Sequence, residues 1–431
     1  MRRQVIEADL TWSEGRFAAG LQVAVGEDGR IDRVGLLGHD PNRRLLGRAL
    51  LPGMVNAHSH AFQRGLRGKA ERYPRRDGDF WSWREEMYAL ARSLDEDAFY
   101  ALNLQAFSEM RAAGFTTVGE FHYLHHAGDE ADFALDRLVL KAAAAAGVRL
   151  VLLNAYYRTG GIGQPLQDSQ RRFRTPSATD YWRQMDRLAE LLDPETQALG
   201  VAAHSLRAAP LQELAALHEE ARRREMVFHM HVEEQRKEIA DAIAAYGQPP
   251  LALLNERLGA GEGFTAVHCT HTDPADLESF LGRGGSVCLC PLTEANLGDG
   301  VPRLPDAGFE ASPWCLGSDS NLRISPCEEM RWLEYAQRLT QERRGILLDA
   351  DGRVAPALFQ AATRGGARAL GIEAGAIAPG SWADFVALDL AHPALAGADG
   401  EELLPAFVFG AGEEAIAATC VGGRWQAHRP V

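Results

Sequence analysis

Long apolar runs are missing from this 431-residue chain; none approaches the roughly 18 uninterrupted apolar residues of a spanning helix, so no membrane partner is expected. Basic residues are in deficit, 45 Lys+Arg against 59 Asp+Glu, for a formal charge of −14. A nucleic-acid or anionic-lipid partner needs a basic face, so neither is expected. Cysteine is scarce: six residues, at 269, 288, 290, 315, 327 and 420, without a Cys-x-x-Cys pair. That excludes a zinc knuckle and a disulfide frame, and points to reduced thiols in the cytoplasm. The opening "MRRQVIEADLTW" carries basic residues with no apolar stretch behind them, so no secretory signal is expected. No Gly-x-Gly-x-x-Gly follows the first buried run, which disfavours an open doubly wound dinucleotide-binding sheet.

What is present is ordinary for a large globular core, 46% hydrophobic and 24% charged. Residues 4–51 read as short strands with turns, as in "LQVAVGEDGRIDRVGLL", where Glu-Asp-Gly separates two strand-like stretches. The C-terminal "IAPGSWADFVALDL" and "AIAATCVGGRWQ" have the same texture. Between them apolar runs alternate with amphipathic helical stretches such as "DEDAFYALNLQAFSEMRAAG" and "PLQELAALHEEARRREM". Eight runs are counted: "LLPGMVNAHSH", "GFTTVGEFHYLH", "VRLVLLNAYY", "ALGVAAHS", "EMVFHMHVEE", "FTAVHCTH", "GSVCLCPLT" and "SPWCLGSDS". Eight βα units predict an α/β fold of the (β/α)8 TIM-type barrel class.

Polar residues collect at the C-terminal ends of these runs, the end where such barrels place their sites. His58 and His60 close the first run, Glu120, His122 and Tyr123 the second, and His204 the fourth. His229, His231 and Glu234 close the fifth, His268 and His271 the sixth, and Asp319 the eighth. A lone buried histidine is usually a hydrogen-bonded core residue. Histidines from several strands converging with a carboxylate on one barrel mouth are instead the donor set of a borderline divalent ion. His58-x-His60 on one strand points both rings to one face.

"PGMVNAHSH", "HMHVEE", "VHCTH" and "LGSDS", in this order, resemble the amidohydrolase superfamily, specifically its deaminase branch with one metal. The resemblance spans the whole chain and implies a small β-sandwich formed by residues 1–50 and 378–431 beside a catalytic barrel over 51–377. It assigns the metal ligands to His58, His60, His231 and Asp319. His231 is preferred over His229 because the branch places its proton-transferring Glu three residues after the ligand, where Glu234 stands, with Glu233 as the competitor. Asp384 reads as structural. "ALGVAAHSLRA" has no lysine to be carboxylated, so one divalent metal is implied, zinc first, with iron or manganese also compatible with these donors. In that scheme Glu234, His268 and Asp319 are catalytic: Asp319 accepts a proton from water, His268 holds the tetrahedral centre, and Glu234 protonates the departing nitrogen.

Gln63, Arg84, Tyr123, His204 and Arg207 add donors around the same mouth. Two arginines and a tyrosine there suit a small substrate with more than one carboxylate. "SHAFQRGLRG", "FWSWRE", "GEFHYLHH" and "HSLRA" resemble the formiminoglutamate deiminases of histidine degradation. That resemblance implies hydrolytic deimination of N-formimino-L-glutamate to N-formyl-L-glutamate and ammonia, with these five residues binding the glutamyl group. The competing expectations are another mononuclear deaminase or chlorohydrolase acting on guanine, a thioadenosine or a triazine, a formiminoglutamate hydrolase releasing formamide, and a non-catalytic scaffold of the same fold. A homodimer is the default assembly.

Overall fold

The computed structural model describes residues 3–69, 71, 80–304, 309 and 313–427. Residues 1–2 and 428–431 of the expected terminal domain, and Ser312 at the start of the eighth run, lie outside the described residues. Each of the eight apolar runs forms one strand of a parallel sheet: β1 (Met54–Ser59), β2 (Phe115–His122), β3 (Arg149–Tyr156), β4 (Gln197–Ser205), β5 (Phe228–Val232), β6 (Phe264–His268), β7 (Ser286–Leu289) and β8 (Trp314–Leu316). Neighbours pair in chain order from β1 to β8. Strands β2 and β3 are buried at every residue, as a sheet wrapped by helices requires.

The seam between β8 and β1 is closed by a single parallel bridge between Ser59 and Asp319. Asp319 N–H donates to the His58 carbonyl at 3.0 Å, and His60 N–H donates to the Asp319 carbonyl at 2.9 Å. Below it a small cluster of Ala57, Val267, Cys288, Cys290, Cys315 and Ala369 fills the barrel interior. All six cysteines are free and buried.

Helix boundaries follow local signals. Asp95 caps the helix Glu96–Ala112 by accepting from Ala98 N–H at 2.8 Å. The alanine-rich helix Asp136–Ala146 stops at Gly147, whose φ of 75° suits a residue without Cβ. Among the described residues no helix is long and apolar enough to cross a membrane.

The terminal segments form one connected mixed sheet of eight strands with a core of its own, built from Ile6, Val23, Val25, Ile31, Leu50, Phe385 and neighbours. Strand Arg43–Pro52 lies parallel to Gln4–Ser13 and antiparallel to Phe385–Asp389. Its pairing runs on to Pro52, opposite Phe385, so residues 51–52, expected in the barrel, belong to the terminal sheet. Ile377, also expected in the barrel, packs in the terminal core. The handover occurs at Gly53, where a Cβ would lie 2.0 Å from Thr116 Oγ1. Arg149, at the start of β3, ties the two parts together with a buried bidentate pair to Asp384, at 2.8 and 3.1 Å.

Candidate active site

The pleat of β1 brings His58 and His60 to one face, and β5 delivers His231 opposite them. Their Nε2 atoms form a triangle with sides of 3.2, 3.3 and 3.2 Å. Asp319 Oδ1 completes the group, 3.4 Å from His58 Nε2 and 3.3 Å from His60 Nε2. Four ligand atoms of a tetrahedral zinc site, at about 2.0–2.1 Å from the ion, stand roughly 3.3–3.4 Å apart.

The tautomers fit as well. His60 Nδ1 donates to the Phe121 carbonyl at 2.8 Å and His231 Nδ1 to the His204 carbonyl at 2.8 Å, which leaves both Nε2 lone pairs facing inward. Burial, followed by the charge of His58, pushes His60 down to about 3, and burial holds His58 and His231 below the ordinary imidazole value. Burial alone would raise Asp319, but its hydrogen bond and charge interaction with His58 outweigh this and keep it ionised. Neutral imidazoles with converging lone pairs and one carboxylate are the donors of a divalent cation, so the residues fit the group.

A cavity opens over this cluster, lined by His60, His231 and Asp319 and also by Glu234, His268, Gln63, Arg84, Tyr123, His204 and Arg207. Every residue expected from the sequence to bind metal, bind substrate or act in catalysis lines it except His58, which lies beneath in the ligand cluster. Glu233 and Glu234 diverge: Glu233 has a left-handed φ of 55°, and its Oε1 accepts from Leu251 N–H at 2.8 Å, away from the cavity. Glu234 lies 3.9 Å from His268 Nε2 and 3.7 Å from Arg207 Nη2. Burial raises Glu234 above the ordinary carboxyl range, and burial opposes but Glu234 and Glu294 together raise His268, to about 10.

His268 and Asp319 also sit at left-handed φ, 77° and 47°. Such strain in residues with side chains gathers at functional sites. His268 Nε2 is 3.7 Å from Asp319 Oδ2, and its Nδ1 is 3.2 Å from Glu294 Oε1. Glu294 itself accepts from Cys290 N–H at 3.0 Å. Sequence reasoning missed Glu294, because an acidic residue in the first turn of a short helix, Pro291–Leu297, reads as an ordinary helix-start carboxylate.

On the arginine side of the cavity, Gln63 Nε2 donates to Tyr123 Oη at 2.6 Å. Arg84 stacks over Trp81, 4.3 Å from the ring centroid. The buried Nε atoms of Arg84 and Arg207 have no hydrogen-bond partner among the described residues. His204 is held well below its usual value by burial and by Arg207, so it meets a ligand as a neutral ring.

Other polar residues at the strand ends serve the scaffold. Glu120 Oε1 accepts from Ala61 N–H at 2.7 Å. His229 Nε2 donates to the Ala369 carbonyl at 2.8 Å. His122, His125 and Asp136 form a second buried group, but both nitrogens of His125 face oxygens, Asp136 Oδ1 at 2.9 Å and the Ala155 carbonyl at 2.8 Å. That ring has no lone pair to give a metal, so this group is a hydrogen-bonded network.

A parallel barrel with a His-x-His, His and Asp cluster at its C-terminal mouth defines a metal-dependent hydrolase type of site. Residues 49–426 match the Amidohydrolase family, and the chain belongs to it. It is 38% identical over 415 residues to formimidoylglutamate deiminase of Pseudomonas aeruginosa, covering 95% of this chain and 91% of that one. It is 28% identical over 353 residues to the 5'-deoxyadenosine deaminase of Methanothermobacter thermautotrophicus, covering 81% and 75%. Among solved structures, an amidohydrolase from Brucella melitensis superposes with a TM-score of 0.90 at 34% identity, covering 99% of this chain and 95% of that one.

Proposed function

We propose that this chain hydrolyses N-formimino-L-glutamate to N-formyl-L-glutamate and ammonia, a step of histidine degradation. The observation that carries the reading is one cavity in which Glu234 and His268 stand over the ligand cluster while Arg84 and Arg207 line the same space, their buried Nε–H groups without a partner among the described residues. Those donors suit a small dicarboxylate, and the 38% identity to a formimidoylglutamate deiminase points to the same substrate. His58, His60, His231 and Asp319 would hold one divalent ion, zinc by preference for a tetrahedral nitrogen-rich site. Bound there, such an ion supplies Lewis acidity and a water of lowered pKa.

The chain's own groups do the rest. Arg84, Arg207, Gln63 and Tyr123 hold the glutamyl part, so that the formimino carbon lies over the cluster. Neutral His204 adds a hydrogen-bonding wall without a competing charge. As water adds to the formimino carbon, His268, held through Nδ1 by Glu294, donates from Nε2 to the developing oxygen centre. Asp319 accepts one proton of that water. Glu234, whose burial favours the protonated form, protonates the formimino nitrogen and recovers a proton from the hydroxyl of the adduct. Asp319 passes its proton to the same nitrogen, which leaves as ammonia as the C–N bond breaks and the formyl C=O forms. The enzyme is proposed to work in the cytoplasm as a homodimer. An ammonia-release assay on formiminoglutamate, with metal content measured on the same sample, tests the reading. Turnover with about one metal per chain is expected. Release of formamide, or turnover of 5'-deoxyadenosine in its place, overturns it.

A further inference from the structure

Tyr88 and Tyr157 line the cavity but play no part in the chemistry above. Both are buried, at 1% and 6% exposure. Between them lies Gln170, on the short turn Asp168–Phe173 that follows β3. Gln170 Oε1 accepts from Gln167 N–H at 2.9 Å, which orients the amide so that its nitrogen faces the two phenols. Gln170 Nε2 donates to Tyr88 Oη at 3.1 Å and to Tyr157 Oη at 2.9 Å. Each phenol oxygen therefore receives an N–H, and each must direct its own hydrogen elsewhere.

At most one of the two hydroxyl hydrogens can be spent between the two oxygens that share this amide; the other faces the cavity that both rings line. The surroundings are cationic. Arg84 lies 5.5 Å from the Tyr88 ring centroid, and Arg84 and Arg207 both act electrostatically on the Tyr157 hydroxyl. The neighbouring Trp83 also lines the cavity, and its buried indole Nε1 has no partner among the described residues. An obligatory O–H donor and an N–H donor beside two guanidiniums match a group that only accepts: a carboxylate, not an amide or an amine.

We propose that the Tyr88–Tyr157 hydroxyl pair, keyed by Gln170, is a specificity-determining donor that reads one substrate carboxylate together with Arg84, Arg207 and Trp83. The proposal rests on the dicarboxylate reading of the preceding subsection and names the residues that reject its amides. Breaking the key separates this role from simple packing. Gln170→Glu keeps the shape but replaces the donor with an acceptor, so both phenols donate inward and the outward hydrogen is withdrawn.

Binding of N-formyl-L-glutamate, N-formyl-L-glutamine and N-formyl-L-isoglutamine by calorimetry is the test, with metal content measured throughout. The parent is expected to prefer the diacid over both monoamides. Gln170→Glu and the double variant Tyr88→Phe/Tyr157→Phe should each lose roughly 10- to 100-fold of that preference against one monoamide, with metal content unchanged. Undiminished discrimination in either well-folded variant, or an equal loss of affinity for all three ligands, overturns the proposal. Ammonia release from formiminoglutamate by the parent is recorded separately. Should that fail, the proposed reaction falls, and the parent-to-variant change in preference for glutarate over glutaramide decides the hydroxyl pair on the same criterion.

Discussion

Two adjacent glutamates show how much a single backbone angle decides. The left-handed φ of 55° at Glu233 sends its side chain to the amide of Leu251 and leaves Glu234 in the cavity. Glu234→Gln is therefore expected to retain metal and structure while kcat falls by on the order of 100-fold or more. Glu233→Gln should keep most of the activity and lower the urea midpoint, because it weakens the anchor on the helix Pro250–Arg257. The reverse pattern in the two rate measurements would exchange their roles. In the sequence, resemblance to the deaminase branch placed the proton-transferring Glu three residues after His231. The strand-end histidines were legible because polar residues closing apolar runs stand out, whereas Arg84, inside the helix Phe80–Ser93, was singled out through motif resemblance. Glu294, Tyr88 and Tyr157 were not legible. Their importance comes from partners far away in the chain, such as His268 and Gln170, and nothing in their local sequence differs from a helix-start acid or a core aromatic.

Secondary-structure elements were readable where burial is complete. The barrel strands are apolar on both faces because helices cover one side and the packed interior the other, so each run announces itself. The handover between sheets was placed two residues early, because Leu51 and Pro52 are as apolar as the strand that follows, and only pairing with Phe385 and Val386 assigns them. One helix carries a pH dependence. His218, on Leu211–Arg223, is wedged between Phe228 and Phe264 with ring centroids 5.2 and 5.5 Å away. Burial, then the charge of Arg222, pushes it down to about 4. In the unfolded chain a histidine takes up its proton near pH 6.5. Between those values the unfolded state binds more protons than the folded one, so stability falls as pH drops from about 6.5 toward 4 and is fully present above that window. Urea melts from pH 7.5 to 4.5 should show this slope flattened in His218→Gln relative to the parent.

Across the whole molecule, the terminal sheet and the barrel are joined by the buried Arg149–Asp384 pair, with Arg149 also lying 3.9 Å over the Trp382 ring. Removing one partner strands the other charge in the interior. Asp384→Asn should cost about 3–5 kcal/mol in urea unfolding, with little effect on KM in the surviving native enzyme. A change confined to KM, at unaltered stability, would contradict the structural role.

The seam that closes the barrel has a consequence for how the protein comes into being. The proposed ligands lie at 58, 60, 231 and 319, and the bridge between Ser59 and Asp319 joins the first strand to the last. During synthesis the N-terminal strand must therefore wait for more than half of the chain before its histidines gain their carboxylate. Metal uptake would then mark that the last barrel strand has docked, and a bound ion would act as a rivet across the loop that closes the barrel. Chelation should lower the thermal midpoint, with zinc restoring it in a concentration-dependent way. It should also raise amide hydrogen exchange first at His60 and Asp319, ahead of the β3–β4 pairing, which is remote from the seam. A fragment ending at Gly300 should bind zinc far more weakly than the whole chain, however well its first seven strands fold.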